Sequence, residues 1–415
     1  VEQPTVTAAS FNGLLIVTAI ALAAPLVVAT VSWLKVPSVV LEIVAGIIVG
    51  PAVLGWVKIG PAIQILAIMG LAFLLFLAGL EIDLGILKGH VLHLTLAGFA
   101  ATMVLGFTLG LLFHAIGWVR SPFFLAVALA ATSLGLVIPV LRDAGLSESP
   151  SGRFTIAGAT VAEFGAVLLL SLFFSESKGG AASKLVTVGI FAAFIVAVSI
   201  VLLRAGRSIR LDMLLTRLQD TTAEIRVRAA VVLLIGFVAL AAKFGLETVL
   251  GAFVAGAVLN IVDKDSMSHP QFRVKLDAIG YGFLIPVFFV FSGLTFDLHA
   301  LINNPWTLLR VPVLLAALFI ARGIPALIYV RSIGPRSSVV AGLLQATSLP
   351  FIVTATTIGV AIGAVRPVTA AALVAAGLLS VVLFPLIALA IASPAGLPDP
   401  STAPAVIHQT KEVDR

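Results

Sequence analysis

The 415 residues are 60% hydrophobic and only 11% charged, with a formal net charge of +6 and a mean hydropathy of +1.19. Soluble globular domains are usually about 45–50% apolar and about 25% charged, so this composition excludes one and defines a polytopic membrane protein. The basic residues flank apolar runs, which accounts for the positive charge without nucleic acid, and the lack of cysteine removes disulfides and thiolate chemistry.

A bilayer-crossing helix needs about 20 apolar residues, and runs of that kind predict thirteen spans: 12–32, 38–56, 62–82, 90–117, 121–141, 153–174, 185–204, 229–244, 246–262, 276–296, 307–330, 337–360 and 367–392. The short alternating segments of a β-barrel are not seen. The first run opens a series, so it reads as a membrane span and not as a cleaved signal peptide. Alternate loops divide Lys and Arg unequally, 17 on one face against six on the other. That excess predicts a cytoplasmic C-terminus and an external N-terminus in the cell's inner (plasma) membrane.

The spans echo one another. "IVAGIIVG" in span two resembles "FVAGAVLN" in span nine, "FLLFLAGLEIDL" in span three resembles "FFVFSGLTFDL" in span ten, and Ala-Thr-Ser-Leu occurs in both span five and span twelve. Gly79 and Gly293, in the second echo, stand 214 positions apart. Each echo pairs a span with the one seven crossings later, so paired spans run in opposite directions. The expected organisation is therefore an inverted-topology repeat, 1–184 against 229–393, as in secondary transporters. Span seven and a basic amphipathic linker fill 185–228, and a Pro-rich disordered cytoplasmic tail is expected over 394–415.

Polar groups are placed unevenly within this frame. In span five Thr132, Ser133, Gly135 and Pro139 cluster at mid-span, as do Gln345, Thr347, Ser348 and Pro350 in span twelve. Proline removes a backbone donor, and Ser and Thr compete for backbone partners. These clusters read either as simple kinks or as unwound segments lining a site, and their recurrence in both halves favours the second. Glu163 lies near the centre of span six, where a charge costs roughly 2.5 kcal/mol or more unless it meets water or a partner. It is the candidate group to bind and release a proton, against the plainer role of a structural hydrogen bond. Arg322, near the middle of span eleven, needs an anionic or carbonyl partner and suits a structural charge at the site.

These pieces resemble the monovalent cation:proton antiporter-2 family, the Kef-like and bacterial sodium/proton antiporters. The matching segments are "VPSVVLEIVAGIIVGPAVLG", "FLLFLAGLEIDL", "ATSLGLVIPVL", "GLETVLGAFVAGAVLN" and "IPVFFVFSGLTFDL", in order along the chain. The resemblance implies an all-α sodium/proton antiporter fold with two crossed discontinuous helices, a dimerisation scaffold and a mobile core working by elevator-type alternating access. It puts the family's paired acidic positions on Ala162 and Glu163 and its embedded basic position on Arg322. The crossing then falls at Thr132–Ser133 and Thr347–Ser348, whose oxygens with Glu163 would hold Na⁺ or K⁺.

With Ala162 beside it, Glu163 is the single titratable group, so one proton for one cation predicts electroneutral exchange by a homodimer, with no cofactor. A sodium-coupled organic-anion symporter and a channel-like K⁺ efflux protein on the same fold stay open as alternatives. Hydrolytic chemistry is excluded by the absence of an HExxH motif, cysteine or paired intramembrane aspartates.

Overall fold

The computed structural model describes residues 8–30, 37–82, 87–174, 224–262, 270–302 and 305–392, with scattered positions between 186 and 200. Most of span seven and of the linker, and the 394–415 tail, lie outside the described residues. The chain is a multi-pass, all-helical membrane protein, and its only β feature among the described residues is an isolated bridge between Val119 and Val365.

The first half comprises α1 (Ala8–Thr30), α2 (Ser38–Val49), α3 (Pro61–Leu80), α4 (Gly89–Ala115), α5 (Pro122–Ala130), α6 (Leu134–Asp143) and α7 (Pro150–Phe174). The second comprises α8 (Ile225–Lys243), α9 (Thr248–Val262), α10 (Pro270–Ile279), a π turn (Gly280–Leu284), α11 (Ile285–Leu294), α12 (Leu298–Ile302) and α13 (Pro305–Leu308). It continues through α14 (Arg310–Leu318), a second π turn (Phe319–Gly323), a 3₁₀ turn (Ile324–Tyr329), α15 (Val330–Gln345), α16 (Pro350–Ala361) and α17 (Pro367–Ala392). Proline opens several helices, at Pro61, Pro122 and Pro350. There its missing N–H is no loss and its fixed φ favours the first turn.

Among the described residues nine stretches are long and apolar enough to cross a membrane, while α2, α9 and α16 are shorter apolar helices. The sequence-based count of thirteen is not matched one for one. Span twelve divides at its interruption: its first half joins span eleven in the stretch 305–345, bent at Gly334 where φ is 80°, and its second half is α16.

Two pairs of crossing helices account for the sequence echoes. Where α3 meets α9, a Cβ on Gly79 would stand 2.1 Å from the Phe253 carbonyl oxygen, and one on Gly256 would stand 1.9 Å from that of Phe76. Where α2 meets α11, a Cβ on Gly46 would stand 2.2 Å from the Val290 oxygen and one on Gly293 2.1 Å from that of Ile43. The echoes match α2 with α9 and α3 with α11, so each contact is the image of the other under an inverted two-fold relation. Glycine is required at all four positions because backbone approaches backbone, the small-residue packing of membrane helices. Large apolar side chains stay exposed on α1 and α4, among them Leu15 at 68% and Val104 at 66%, as a lipid-facing surface requires.

Replacing Gly79 or Gly256 with Leu drives a side chain into backbone, and overpacking of this kind costs about 1–3 kcal/mol even where neighbours can yield. We expect Gly79→Leu and Gly256→Leu to lower the melting temperature in detergent sharply. Gly236→Ala, where nothing lies within 4 Å of an added Cβ, should cause no loss. Parent-like melting of either Leu variant would contradict the close crossing.

Candidate cation site at the helix crossing

The two Ala-Thr-Ser-Leu segments meet. Helix α5 ends at Ala130 and α6 begins at Leu134, with Ala131 (φ −72°, ψ 149°) and Ser133 (φ −80°, ψ 100°) extended between them. Helix α15 ends at Gln345 and α16 begins at Pro350, with Leu349 at φ −140° and ψ −58°. The Ser133 N–H donates to the Thr347 carbonyl at 3.0 Å, and the Ser348 N–H donates to Ser380 Oγ at 3.2 Å. The Thr132 hydroxyl donates to the Gln345 carbonyl, so one interruption supplies donors that the other accepts. Thr132, Ser133, Thr347 and Ser348 are all buried, at 4% exposure or less.

The interruption in the first half precedes Gly135 and Pro139, which differs from their sequence-based assignment as breakers. Both lie inside α6, and the unwound residues are Ala131 to Ser133. A proline removes only its own donor, whereas at the gap the tertiary bonds of Thr132 and Ser133 replace the helical ladder outright. Pro350 does open its half-helix, at the first position of α16.

Glu163 projects from α7 and is 5% exposed. Its Oε2 accepts the Leu134 N–H at 3.1 Å, which places the carboxyl at the N-terminal end of α6. That N–H is free because the helix starts there, and the partial positive charge of a helix N-terminus favours an anion. The break therefore does two things at once: it exposes carbonyls for the crossing, and it aims a helix end at Glu163.

Arg322 sits in the π turn Phe319–Gly323 and is 1% exposed. Its Nε donates to Thr132 Oγ1 at 2.8 Å and its Nη2 donates to the Gly158 carbonyl at 2.6 Å. Among the described residues no ion pair joins it to Glu163, so here the guanidinium braces the first interruption against α7. Pro325 follows three residues later and lacks an N–H, and the helix around it departs from α geometry into π and 3₁₀ turns. Such irregular turns often mark functional positions in membrane helices.

Several further groups support the crossing. Gln345 Nε2 donates to the Phe154 carbonyl at 2.9 Å, and a Cβ on Gly158 would stand 2.3 Å from that nitrogen. Ser380 Oγ, besides accepting from Ser348, donates to the Gly377 carbonyl at 2.7 Å. The groups gathered here are carboxylate, hydroxyl and carbonyl oxygens, the hard donors that suit a hard cation. The Ser348 hydroxyl is buried and has no hydrogen-bond partner among the described residues. No set of three or more His, Cys, Asp or Glu side chains that could hold a metal ion occurs among the described residues.

A cavity of about 340 Å³ opens between α11, α16 and α17, lined in part by Ser292, Thr295, Asp297, Thr356 and Thr357. Neither Glu163 nor either interruption lines it.

A buried carboxyl beside two crossed, discontinuous helices of an inverted repeat is the architecture of a secondary transporter. The family model described as "Sodium/hydrogen exchanger, transmembrane" matches residues 18–392, and the chain belongs to that family. Among relatives, YjbQ of Bacillus subtilis is 30% identical over 341 residues, covering 79% of this chain. The chain spans about half of that relative's length, 54%. The Na⁺/H⁺-K⁺ antiporter GerN of Bacillus cereus is 28% identical over 282 residues, 67% of this chain and 70% of the relative. The solved structure of the sodium proton antiporter MjNhaP1 from Methanocaldococcus jannaschii at pH 8 superposes with a TM-score of 0.68. It covers 92% of this chain and 98% of its own at 19% identity, which establishes the shared fold.

Arg322 bonds a hydroxyl and a carbonyl on separate elements, and hydrogen bonds to charged groups contribute about 1.5–3 kcal/mol each. Arg322→Met should lower the melting temperature markedly, and Arg322→Lys should recover part of the loss by keeping a charged donor. Equal melting of the parent and Arg322→Met would show that the brace carries no stability.

Proposed function

We propose that this chain exchanges a monovalent cation, Na⁺ or K⁺, for protons across the plasma membrane, with Glu163 as the alternating carrier. The observation that carries this reading is the Glu163 carboxyl, buried at the crossing and held by the Leu134 N–H at 3.1 Å. A carboxylate in that place has two ways to be neutralised, by a proton or by a cation, and it cannot take both. Thr132, Ser133, Thr347 and Ser348 surround the crossing with the oxygens a dehydrated cation would use. Membership of the sodium/hydrogen exchanger family supports cation and proton as the exchanged pair, and the name of GerN supports both Na⁺ and K⁺ as candidates.

The cycle follows from one titratable group. With Ala162 beside Glu163 there is no second acid on that turn, so one proton leaves for each cation that enters and no net charge moves. Alternating access works by elevator-type movement of the elements bearing the crossing, α4 to α7 and α14 to α17, against the glycine-locked helices α2, α3, α9 and α11. A homodimer joined through the latter helices would hold them still. The C-terminus faces the cytoplasm, as the Lys and Arg bias requires. The engagement of Arg322 with Thr132 and Gly158 supports antiport over organic-anion symport, because the guanidinium is already occupied.

The test is flux in proteoliposomes loaded with a pH dye. Na⁺ or K⁺ added to the parent should move protons, and Glu163→Gln, which keeps a hydrogen-bond acceptor for Leu134 but cannot titrate, should abolish that movement. Full activity of Glu163→Gln would refute the carrier role. A membrane-potential dye in the same vesicles should stay silent during turnover, and a potential that follows the cation gradient would refute one-for-one exchange.

A further inference from the structure

The turns that end α4 and α16 carry nearly the same hexapeptide, Ala-Ile-Gly-Trp-Val-Arg at 115–120 and Ala-Ile-Gly-Ala-Val-Arg at 361–366. Gly117 and Gly363 close their helices in the left-handed region, at φ 75° and 72°. The two turns lie side by side and antiparallel. Val119 and Val365 form a bridge, and the N–H groups of Arg120 and Ser121 both donate to the Ala364 carbonyl at 3.1 Å. Each arginine reaches over the other turn's glycine. Arg366 Nη2 lies 3.9 Å from where a Gly117 Cβ would stand, and Arg120 Nη1 lies 3.5 Å from that of Gly363.

A third guanidinium lies near that of Arg366. Arg310 Nη1 donates to Thr369 Oγ1 at 2.9 Å, its guanidinium sits 4.9 Å from the centre of the Trp118 ring, and it is close enough to Arg366 to feel its charge. Two helices begin here as well, α5 at Pro122 and α17 at Pro367, each adding the positive end of its dipole. Among the described residues no carboxylate pairs with any of the three arginines. Asp297, on the wall of the cavity that Pro367 also lines, uses its Oδ1 to cap the Ala300 N–H at 2.9 Å.

Arg310 and Arg366 are like charges brought near each other around Trp118 and Gly117, and they repel one another unless an anion lies between them. The planar fork of arginine matches the oxygens of a phosphate. Beside the cluster, Ile116, Trp306 and Leu309 are exposed at 52%, 76% and 50%, the apolar surface that acyl chains would cover. Trp118 and Trp306 stand where the aromatic belt of a membrane protein meets headgroups.

We propose that Arg310 and Arg366, with Trp118 between them, form a phosphate site occupied by the headgroup of an anionic phospholipid, which ties the 361–367 turn to the start of the 310–318 helix. The site stands independently of the exchange reading, because its evidence is the geometry of this face alone.

Native mass spectrometry of the detergent-purified chain with phosphatidylglycerol or phosphatidylcholine tests it. The parent should retain phosphatidylglycerol about tenfold more than phosphatidylcholine, a modest share of what several charge-assisted bonds can supply. The Arg310→Gln, Arg366→Gln double variant should lose that preference, and Lys243→Gln, one charge removed elsewhere, should keep it. If the double variant is not monodisperse, Arg310→Gln, which leaves both turns intact, must show the same loss. Equal retention of the two lipids by the parent, or an undiminished preference in the arginine variants, overturns the proposal. So does inorganic phosphate that raises the melting temperature as far as phosphatidylglycerol does, since the ligand would then be a free anion.

Discussion

An unwound backbone inside a bilayer has to find its hydrogen-bond partners within the protein, and the bond from the Ser133 N–H to the Thr347 carbonyl is where this chain meets that demand. Neither interruption could persist alone. Each offers orphan donors and acceptors that only the other half, or a side chain brought to it, can satisfy. The Thr132 hydroxyl on the Gln345 carbonyl, the Gln345 amide on the Phe154 carbonyl and the Arg322 guanidinium on both Thr132 and Gly158 extend that accounting outward. The helices around the crossing are positioned to supply these partners.

The same break creates the chemistry. Because α6 starts at Leu134, its first N–H has no helical partner and turns to Glu163. The Glu163 carboxyl is thereby bonded to the backbone at the crossing itself. The glycine contacts of α3 with α9 and of α2 with α11 are the rigid counterpart. Their backbones touch, which leaves little room for independent movement between those helices.

How much of this was legible along the chain depends on how local each feature is. Gly79 and Gly293, and the two Ala-Thr-Ser-Leu segments, announced the inverted repeat, because close backbone approach and unwinding both demand particular residue types at particular places. Glu163 and Arg322 stood out because charge within an apolar run is costly. Pro139 misled, since its type signals a break but its single missing donor did not make one, and the gap fell six to eight residues earlier, at Ala131 to Ser133. The service of Gly158, Phe154 and Ser380 was invisible. Their roles rest on backbone carbonyls and a hydroxyl that meet partners from distant helices, and no periodicity records such a meeting. The π turn at Arg322 was equally hidden, although Pro325 marked its neighbourhood.

The central claim is that a proton and a cation compete for one carboxyl at this crossing. It is tested most directly by initial rates of Na⁺ or K⁺ uptake into proteoliposomes, measured against cation concentration at several pH values. Competition predicts that the apparent KM rises as pH falls, by about tenfold per pH unit once the protonated carboxyl predominates, while the maximal rate holds. A KM that stays fixed while the maximal rate falls with pH would place proton and cation at separate groups and contradict the account.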